Sequence, residues 1–188
     1  LDLRRPDARP VPLVSGLEDA GRIVNGTYRL PVRMVGPCLD APLTLVPRYP
    51  DLPMEELYPR QPRTDIPEVI LREIGSSRIV YLPWDLDRVF WEILHGDHLT
   101  LLANAVAWVT RDEAPVSVSG EGMLDVTVWR QRASMTVHMV NLTNPMMMRG
   151  EFREFLRVGE QTVSVRIPAG CRVQGVTLLR NGQPVDAT

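Results

Sequence analysis

The stretch that decides the fold of this chain is residues 78–109, RIVYLPWDLDRVFWEILHGDHLTLLANAVAWV. It opens with a run of β-branched, aromatic and aliphatic residues, 79–82, which Pro83 ends because proline cannot donate to a strand ladder. A turn rich in Trp and Asp follows, and apolar residues then recur at the spacing of one helix face. They are Leu99, Leu102, Ala105, Val106 and Val109. The pattern predicts a helix over about 98–109 whose apolar face packs against the core.

The start of this helix, His95-Gly96-Asp97-His98, contains two imidazoles and one carboxylate. A carboxylate at a helix start accepts hydrogen bonds from free backbone N–H groups, so we predict Asp97 as the N-cap of one main helix at about 97–110. Zinc needs three or four ligands in a defined geometry, and no third His or Cys stands at a suitable spacing. The tetrapeptide is therefore interpreted as a helix start, and neither a metal nor a cofactor is predicted.

Upstream of this stretch the sequence predicts a β hairpin and two shorter strands. Residues 68–74 and 78–82 are β-rich runs joined by Gly75-Ser76-Ser77, a spacing typical of a hairpin. Residues 43–46 form a second short strand, and alternation over 26–35 predicts a half-buried one. The apolar side chains of that alternation are Tyr28, Leu30, Val32 and Met34.

Prolines recur from Pro47 to Pro67 around the acidic residues Asp51, Glu55 and Glu56. Each proline removes a donor and restricts its predecessor, so this run predicts a long surface loop that contacts a ligand, a subunit or a neighbouring domain. A glycosidase needs two carboxyl groups roughly 5–10 Å apart across a cleft, whereas adjacent residues such as Glu55 and Glu56 diverge. The three acids are therefore interpreted as solvated surface that can serve as contact residues.

Two interpretations stay open for Asp85 and Asp87, which stand between Trp84 and Trp91. Aromatic faces stack on sugar rings and carboxylates accept from hydroxyl groups, so the four residues have the composition of a ligand or subunit contact. The same residues also make a turn and a helix start, with the indoles packed against the core.

After Pro115 the sequence changes to short alternating runs separated by Gly- and Asn-containing turns. The predicted strands are 116–119, 123–130, 135–142, 151–158, 162–167 and 173–180. This spacing is typical of a small antiparallel β-sandwich or barrel. We therefore predict two domains, 1–112 and 113–188. His138 is interpreted as structural, and the Met run 146–148 as apolar filler or a contact patch.

Composition excludes several functional classes. All 21 basic residues are Arg, which removes lysine Schiff bases, lysine general bases and the P-loop lysine. Arginine is spread evenly and balanced by 23 acidic residues, so no nucleic-acid partner is predicted. No run approaches the roughly 20 apolar residues of a membrane span, so no membrane partner is predicted either. No Ser-His-Asp arrangement, Gly-x-Ser-x-Gly elbow or phosphate loop can be found.

The N-terminal residues contain no apolar signal region, which favours a cytoplasmic chain over a secreted one. A removed leader and a chain that begins inside a longer protein both stay open, and the absence of an initiating Met favours the second. Cys38 and Cys171 stand far apart in the sequence and in no metal-like spacing. Two free thiols and one long-range disulfide both stay open.

Three runs together resemble the C-terminal, non-catalytic region of certain glycoside hydrolases. They are LTLVPRYPDLPMEELYPR (43–60), the stretch 78–109 and MTVHMVNLTNP (135–145). In those enzymes a (β/α)₈ catalytic barrel precedes a β-galactosidase-type trimerisation domain and a small β domain. The resemblance extends over about 16–185. It implies that 1–112 form part of a flavodoxin-like, glutamine-amidotransferase-like α/β domain and that 137–143 belong to the terminal β domain.

The catalytic barrel and the first half of the α/β domain have no counterpart here, so no catalytic residue of the family can be carried over. The resemblance implies a non-catalytic portion that supports oligomer assembly and a neighbouring active site. The loop 47–67 and the turn 84–91 would contact the catalytic barrel or other subunits. A carbohydrate-binding module using Trp84, Asp85, Trp91 or Trp129 is the alternative. A third hypothesis is an enzyme that uses Asp85, Asp87 or His98.

Overall fold

The computed structural model describes residues 12–36, 41–48, 53, 55, 64–111, 113–144 and 154–186. The chain divides into two compact units, Leu1–Glu113 and Ala114–Thr188. The short alternating runs that begin after Pro115 in the sequence belong to the second unit. After a 3₁₀ turn at Pro12–Val14, the helices and strands are β1 Ile70–Ile74, β2 Ser77–Tyr81, α1 Leu86–Ile93, α2 Gly96–Thr110, β3 Val116–Gly120, β4 Leu124–Arg130, β5 Met135–Asn141 and β6 Gln161–Val165.

The hairpin predicted before Pro83 is confirmed. Strands β1 and β2 pair antiparallel, and Gly75 takes the positive φ of 58° that the turn requires. Leu71 stands opposite Val80 on the face that packs against α2. The guanidinium of Arg78, on the same face, lies 4.9 Å from the ring centroid of Trp108 in α2. One side of the hairpin is thus covered by a helix.

The stretch after β2 contains two helices instead of the one that the sequence predicts. Helix α1 occupies the Trp- and Asp-rich turn and ends at Leu94, whose left-handed φ of 51° stops it. His95 is the N-cap of α2, since its Nδ1 accepts from the N–H of Asp97 at 3.2 Å. Asp97 is therefore not the cap. Its carboxylate lies in the first turn, where it interacts favourably with the positive end of the helix dipole.

The face of α2 that packs into the core matches the predicted one only in part: Ala105 is buried and Leu102 packs against the core as predicted. His98, Leu101 and Ala105 are buried, whereas Leu99 and Val106 are 54% and 62% exposed. Successive helix residues are about 100° apart, so a second apolar series offset by one position lies on a different side of the helix. The core residues are Leu13, Leu17, Ile23, Leu43, Val69, Leu71, Trp84, Leu86, Leu101 and Ala105.

The predicted strands 26–35 and 43–46 are reduced to short pairings. Arg29 bridges to Trp84, flanked by a hydrogen bond from the N–H of Leu30 to the carbonyl of Pro83 at 2.8 Å. Tyr28 and Leu30 are exposed, contrary to the predicted alternation, because Arg29 points to the buried side. Val32 and Met34 are partly buried between exposed neighbours, as predicted. Residues 43–46 run beside 64–68, with Thr44 bridged to Pro67.

The second unit contains two antiparallel pairs, β3 with β6 and β4 with β5. The predicted strand 173–180 is absent and only a bridge between Thr177 and Pro184 occurs there. Residues 154–158 are not a strand, and 151–153 lie outside the described residues. All three strand pairs in the described part of the chain are antiparallel. Together with helices α1 and α2, these strands confirm the mixed α/β character at this coarse level.

Candidate functional site

Trp84 lies in the core of the first unit and not on its surface. Its side chain is 6% exposed, and the indole N–H donates to the backbone carbonyl of Glu68 at 2.9 Å. Its ring meets the imidazole of His98 edge-on, with 5.9 Å between the centroids. Neither face of this indole is open to a sugar ring. Trp84, predicted as a contact residue, thus packs in the core instead.

Asp85 holds an extended segment against the turn. Its Oδ1 accepts from the N–H of Tyr28 at 3.0 Å, across 57 residues of sequence. Asp87 is exposed in the first turn of α1, where its carboxylate interacts favourably with the positive end of the helix dipole. Trp91 is on the same helix and is 53% exposed. The turn therefore separates the four predicted residues into a core indole, a tethering carboxylate and two surface side chains.

Gly26 is the residue that lets this segment approach the turn. A Cβ there would stand 2.0 Å from Oδ1 of Asp85 and 3.1 Å from the ring of Trp84. We expect Gly26→Ala to destabilise the first unit by about 1–3 kcal/mol in urea unfolding, because the carboxylate must leave Tyr28. Gly21→Ala is the matched control, since nothing lies within 4 Å of its Cβ position. Equal stabilities of the two variants would contradict this packing.

Glu68 is a fully buried carboxylate that sequence reasoning assigned only to a strand. Its side chain is 0% exposed, and its Oε1 accepts from Nε of Arg29, whose side chain is 22% exposed. Burial raises the pKa of Glu68, and the hydrogen bond and charge of Arg29 oppose that rise. Oε2 of Glu68 and Nη2 of Arg29 are buried and find no partner among the described residues. No local sequence pattern predicts this ion pair, because Arg29 and Glu68 are 39 residues apart.

His98 is buried on the core face of α2. Its Nε2 lies 2.9 Å from the carbonyl oxygen of Val24, which requires that this nitrogen carry the proton. Nδ1 of His98 is buried without a partner in the described part of the chain, and the ring centroid of His95 is 5.6 Å from its own. Among the described residues no group of three or more His, Cys, Asp or Glu could hold a metal ion.

The remaining predicted residues do not converge on this turn. Glu55 is exposed, while Asp51 and Glu56 lie outside the described residues, as do Cys38 and the Met run 146–148. Cys171 is an exposed free thiol. His138 is exposed on β5 and is not part of a core. The described acids and imidazoles thus form a buried scaffold around Trp84 and a set of separate surface positions.

A shallow groove of about 190 Å³ opens in the second unit beside Asn141, Thr143 and Phe155. Of its polar side chains, Asn141 and Thr143 are already engaged within the unit, and Glu154 is the third. Nδ2 of Asn141 donates to the carbonyl of Leu156 at 2.5 Å, and Oδ1 accepts from the N–H of Thr143 at 3.0 Å. The groove therefore offers few polar atoms to a ligand.

In comparisons with known proteins, no family model, no curated protein and no solved structure matches the chain significantly. Within the described ranges, no helix has the length and apolar character needed to cross a membrane.

Proposed function

We propose that this chain is a non-catalytic C-terminal portion of a glycoside hydrolase that supports oligomer assembly and a neighbouring active site. In this proposal the first unit is part of a flavodoxin-like α/β domain and the second is a small β-sandwich. The carboxylates that cleave the glycoside belong to a catalytic barrel outside this chain. Support comes from the sequence resemblance and from apolar surfaces of the first unit that nothing in its described residues covers.

The observation that carries the proposal is the apolar outward side of α2, the outer stripe: Leu99, Ala103, Val106 and Val109. Leu99, Val106 and Val109 are 54%, 62% and 41% exposed. They recur at helical spacing, and Asp97 is the one charged residue of α2. A helix whose apolar surface extends well beyond its core-facing side is normally buried on that further side too, and an exposed apolar surface of this kind marks an interaction site. The outer stripe is thus suited to bind another protein surface.

The β1–β2 hairpin has a second open face, opposite the one that α2 covers, where apolar side chains stand beside Arg72 and Ser77. Ile74, Ile79 and Tyr81 are 51%, 43% and 39% exposed there. In α/β domains, helices cover both faces of the sheet and further strands cover its edges. A hairpin with one covered face is therefore what a partial α/β domain would expose, and the remainder would lie in another segment or chain.

Light scattering on the full chain tests the assembly role. We expect the wild-type chain at about 100 µM, well above the Kd of a micromolar complex, to exceed the mass of its 21.2 kDa monomer. Val106→Glu is expected to return it to the monomer, because a charge in the outer stripe has no partner and resists desolvation. Leu30→Glu is the matched control, since Leu30 is 64% exposed and lies outside α2.

Two results would overturn the assembly role. One is a wild-type chain that stays monomeric over the whole concentration range. The other is an oligomer whose mass Val106→Glu leaves unchanged. An oligomer that Leu30→Glu dissociates as well would place the interface elsewhere on the first unit and would remove the outer stripe from the proposal.

A further inference from the structure

The outward face of the β4–β5 pair carries a tryptophan among polar side chains. The strand register places Trp129 opposite Thr136, Thr127 opposite His138, and Asp125 opposite Val140. Side chains of alternate residues share a face of a strand, so these six lie on one side of the pair, here called the Trp129 face. The other side carries Leu124, Val126, Val128, Arg130, Met135, Val137, Met139 and Asn141.

The two sides of this pair differ in exposure. On the other side Leu124, Val128, Met135 and Val137 are partly buried, and Val126 and Met139 are 37% and 44% exposed. On the Trp129 face Thr136 is partly buried, whereas Trp129 is 63% exposed and Asp125, Thr127 and His138 are exposed as well. The largest apolar side chain of the pair thus stands on the more open side. Within the second unit, packing gives no reason for its position there, because the indole would bury more apolar surface on the other side.

The polar groups beside Trp129 are uncommitted. Among the described residues, the side chains of Asp125, Thr127, Thr136 and His138 make no hydrogen bond or ion pair, and the indole makes no ring contact. Side chains directly opposite in an antiparallel pair have Cβ atoms about 4.5–5.5 Å apart, and diagonal neighbours about 7–8 Å. Two hydroxyls and an imidazole therefore surround the indole within reach of one small ring-shaped ligand.

We propose that the Trp129 face binds a sugar ring of a neutral glycan. A pyranose presents an apolar C–H surface that stacks on an indole, and hydroxyl groups around its rim that pair with the side chains of Thr127, Thr136 and His138. Small-molecule sites combine these two elements, an apolar contact and a few placed polar groups. Asp125 is the one acid on this face, and Arg130, the one cation of the pair, belongs to the other side. The face therefore lacks the cations that anionic polymers require.

This proposal is independent of the assembly role, because it concerns the second unit and a different surface. Trp84 cannot serve the same purpose, since its indole is buried against Glu68 and His98. Trp91 is exposed, but on a helix of the first unit. Trp129 alone stands among polar neighbours on a strand face within the described part of the chain.

An NMR titration of the ¹⁵N-labelled full chain tests the proposal. The probes are soluble hexaoses of β-1,4-linked glucose, mannose and xylose and a tetraose of β-1,4-linked galactose, each added to about 10 mM so that even weak complexes form. We expect at least one probe to shift the indole N–H resonance of Trp129 and the amides of Thr127 and His138. The indole resonance of Trp84 should stay in place, and it is the internal reference because it is engaged in the core.

Matched variants then locate the contact. Trp129→Ala is expected to lower the association constant at least about tenfold, equal to about 1.4 kcal/mol, and Trp129→Phe to lower it less. Trp91→Ala, which removes the exposed indole of α1, is expected to leave it within about twofold. The circular dichroism spectrum of each variant should match the wild type, because Trp129 is largely exposed.

Three outcomes would overturn the proposal: no probe shifts the Trp129 resonance, Trp129→Ala binds as tightly as the wild type, or Trp91→Ala abolishes binding. A wild-type oligomer that Trp129→Ala dissociates, with no glycan bound by either protein, would assign the face to protein contact instead. Light scattering tests the outer stripe and the NMR titration tests the Trp129 face. The assembly role and the glycan site can therefore be refuted independently.

Discussion

The variant Arg29→Met is expected to destabilise the first unit by about 3–5 kcal/mol, the range found when one member of a buried ion pair is removed. The Glu68 carboxylate that Arg29 binds is 0% exposed. Without the guanidinium, the carboxylate must either stay charged in the core or take up a proton. Burial disfavours the charged form, and protonation costs free energy at any pH above the ordinary pKa of the carboxyl group, so both alternatives raise the free energy of the folded state at neutral pH.

The pH dependence of this loss has a defined sign. The folded-state pKa of Glu68 is raised above its ordinary value, so the folded state binds this proton more tightly and stability falls as pH rises from the ordinary value through the raised one. Removing Arg29 removes the two effects that hold this pKa down, and the pKa rises further. The difference between Arg29→Met and wild type should therefore be small in acid and should grow with pH.

The double variant Arg29→Met/Glu68→Leu separates charge from packing. Replacing both members by apolar residues leaves no charge to desolvate, so we expect most of the lost stability to return. Arg88→Met is the surface control, since Arg88 and its partner Glu92 are 50% and 46% exposed, and such exposed pairs contribute little to stability. The guanidinium of Arg88 also lies over the exposed ring of Tyr28, 5.0 Å from its centroid. Urea unfolding and amide exchange in β1 and β2 measure these differences.

Two results would contradict the role of the pair. If Arg29→Met unfolded at the same urea concentration as Arg88→Met, the Glu68 carboxylate would have to reach water in the folded state. If the double variant were no more stable than Arg29→Met, the loss would come from the packing of the arginine stem and not from the uncompensated charge.

The sequence located those elements whose signals are local. The hairpin is where Gly75 and its β-rich flanks indicate it, because turn chemistry and strand preference act within a few residues. Strands β4 and β5 also lie within a residue or two of their predicted limits, since each alternates over seven residues. In these cases the pattern and the structure depend on the same neighbours, and the prediction is sound.

Other features depend on partners far away in the sequence, and no local pattern contains them. The Arg29–Glu68 pair joins residues 39 positions apart, and the Asp85 tether joins residues 57 positions apart. Both were hidden in segments that the pattern assigned to strands or to a turn. Trp84 was a contact candidate for the same reason, because composition cannot tell a core indole from a surface one.

The N-terminus of α2 illustrates an intermediate case. A carboxylate and an imidazole two residues apart can both serve as the cap, and sequence preference favours the carboxylate. In the structure, the left-handed Leu94 ends α1 and leaves His95 extended, with ψ near 134°, so that its ring reaches the N–H of Asp97. The choice of cap is therefore set by where the preceding helix ends.

The orientation of α2 allows the sharpest test of the core, and Leu101→Ala is expected to destabilise the first unit by about 2–5 kcal/mol. Leu101 is 0% exposed and belongs to the core around Trp84. Truncation removes buried apolar surface and leaves a cavity that neighbouring side chains fill only in part. The predicted core residue Leu99 is 54% exposed, so Leu99→Ala should change stability by less than about 1 kcal/mol.

These two leucines are two positions apart on one helix, and the substitution is the same. Helix propensity therefore changes equally in both variants, and the difference in unfolding free energy reports burial alone. Measurements at concentrations where the chain is monomeric exclude any contribution of the outer stripe to an interface. If Leu99→Ala lost as much as Leu101→Ala under those conditions, the helix would have to be rotated about its axis so that Leu99 faces the core.

The effects of the two variants on assembly should have the opposite order, with Leu99→Ala lowering the oligomer mass more than Leu101→Ala. Leu99→Ala removes apolar surface from the outer stripe and should lower the oligomer mass at a given concentration while the monomer keeps its stability. Leu101→Ala should weaken folding and leave the surface of the remaining folded chains unchanged. A helix that is apolar on both sides places one series of residues in the folding equilibrium and the other in the binding equilibrium, because each series is removed from water at a different step.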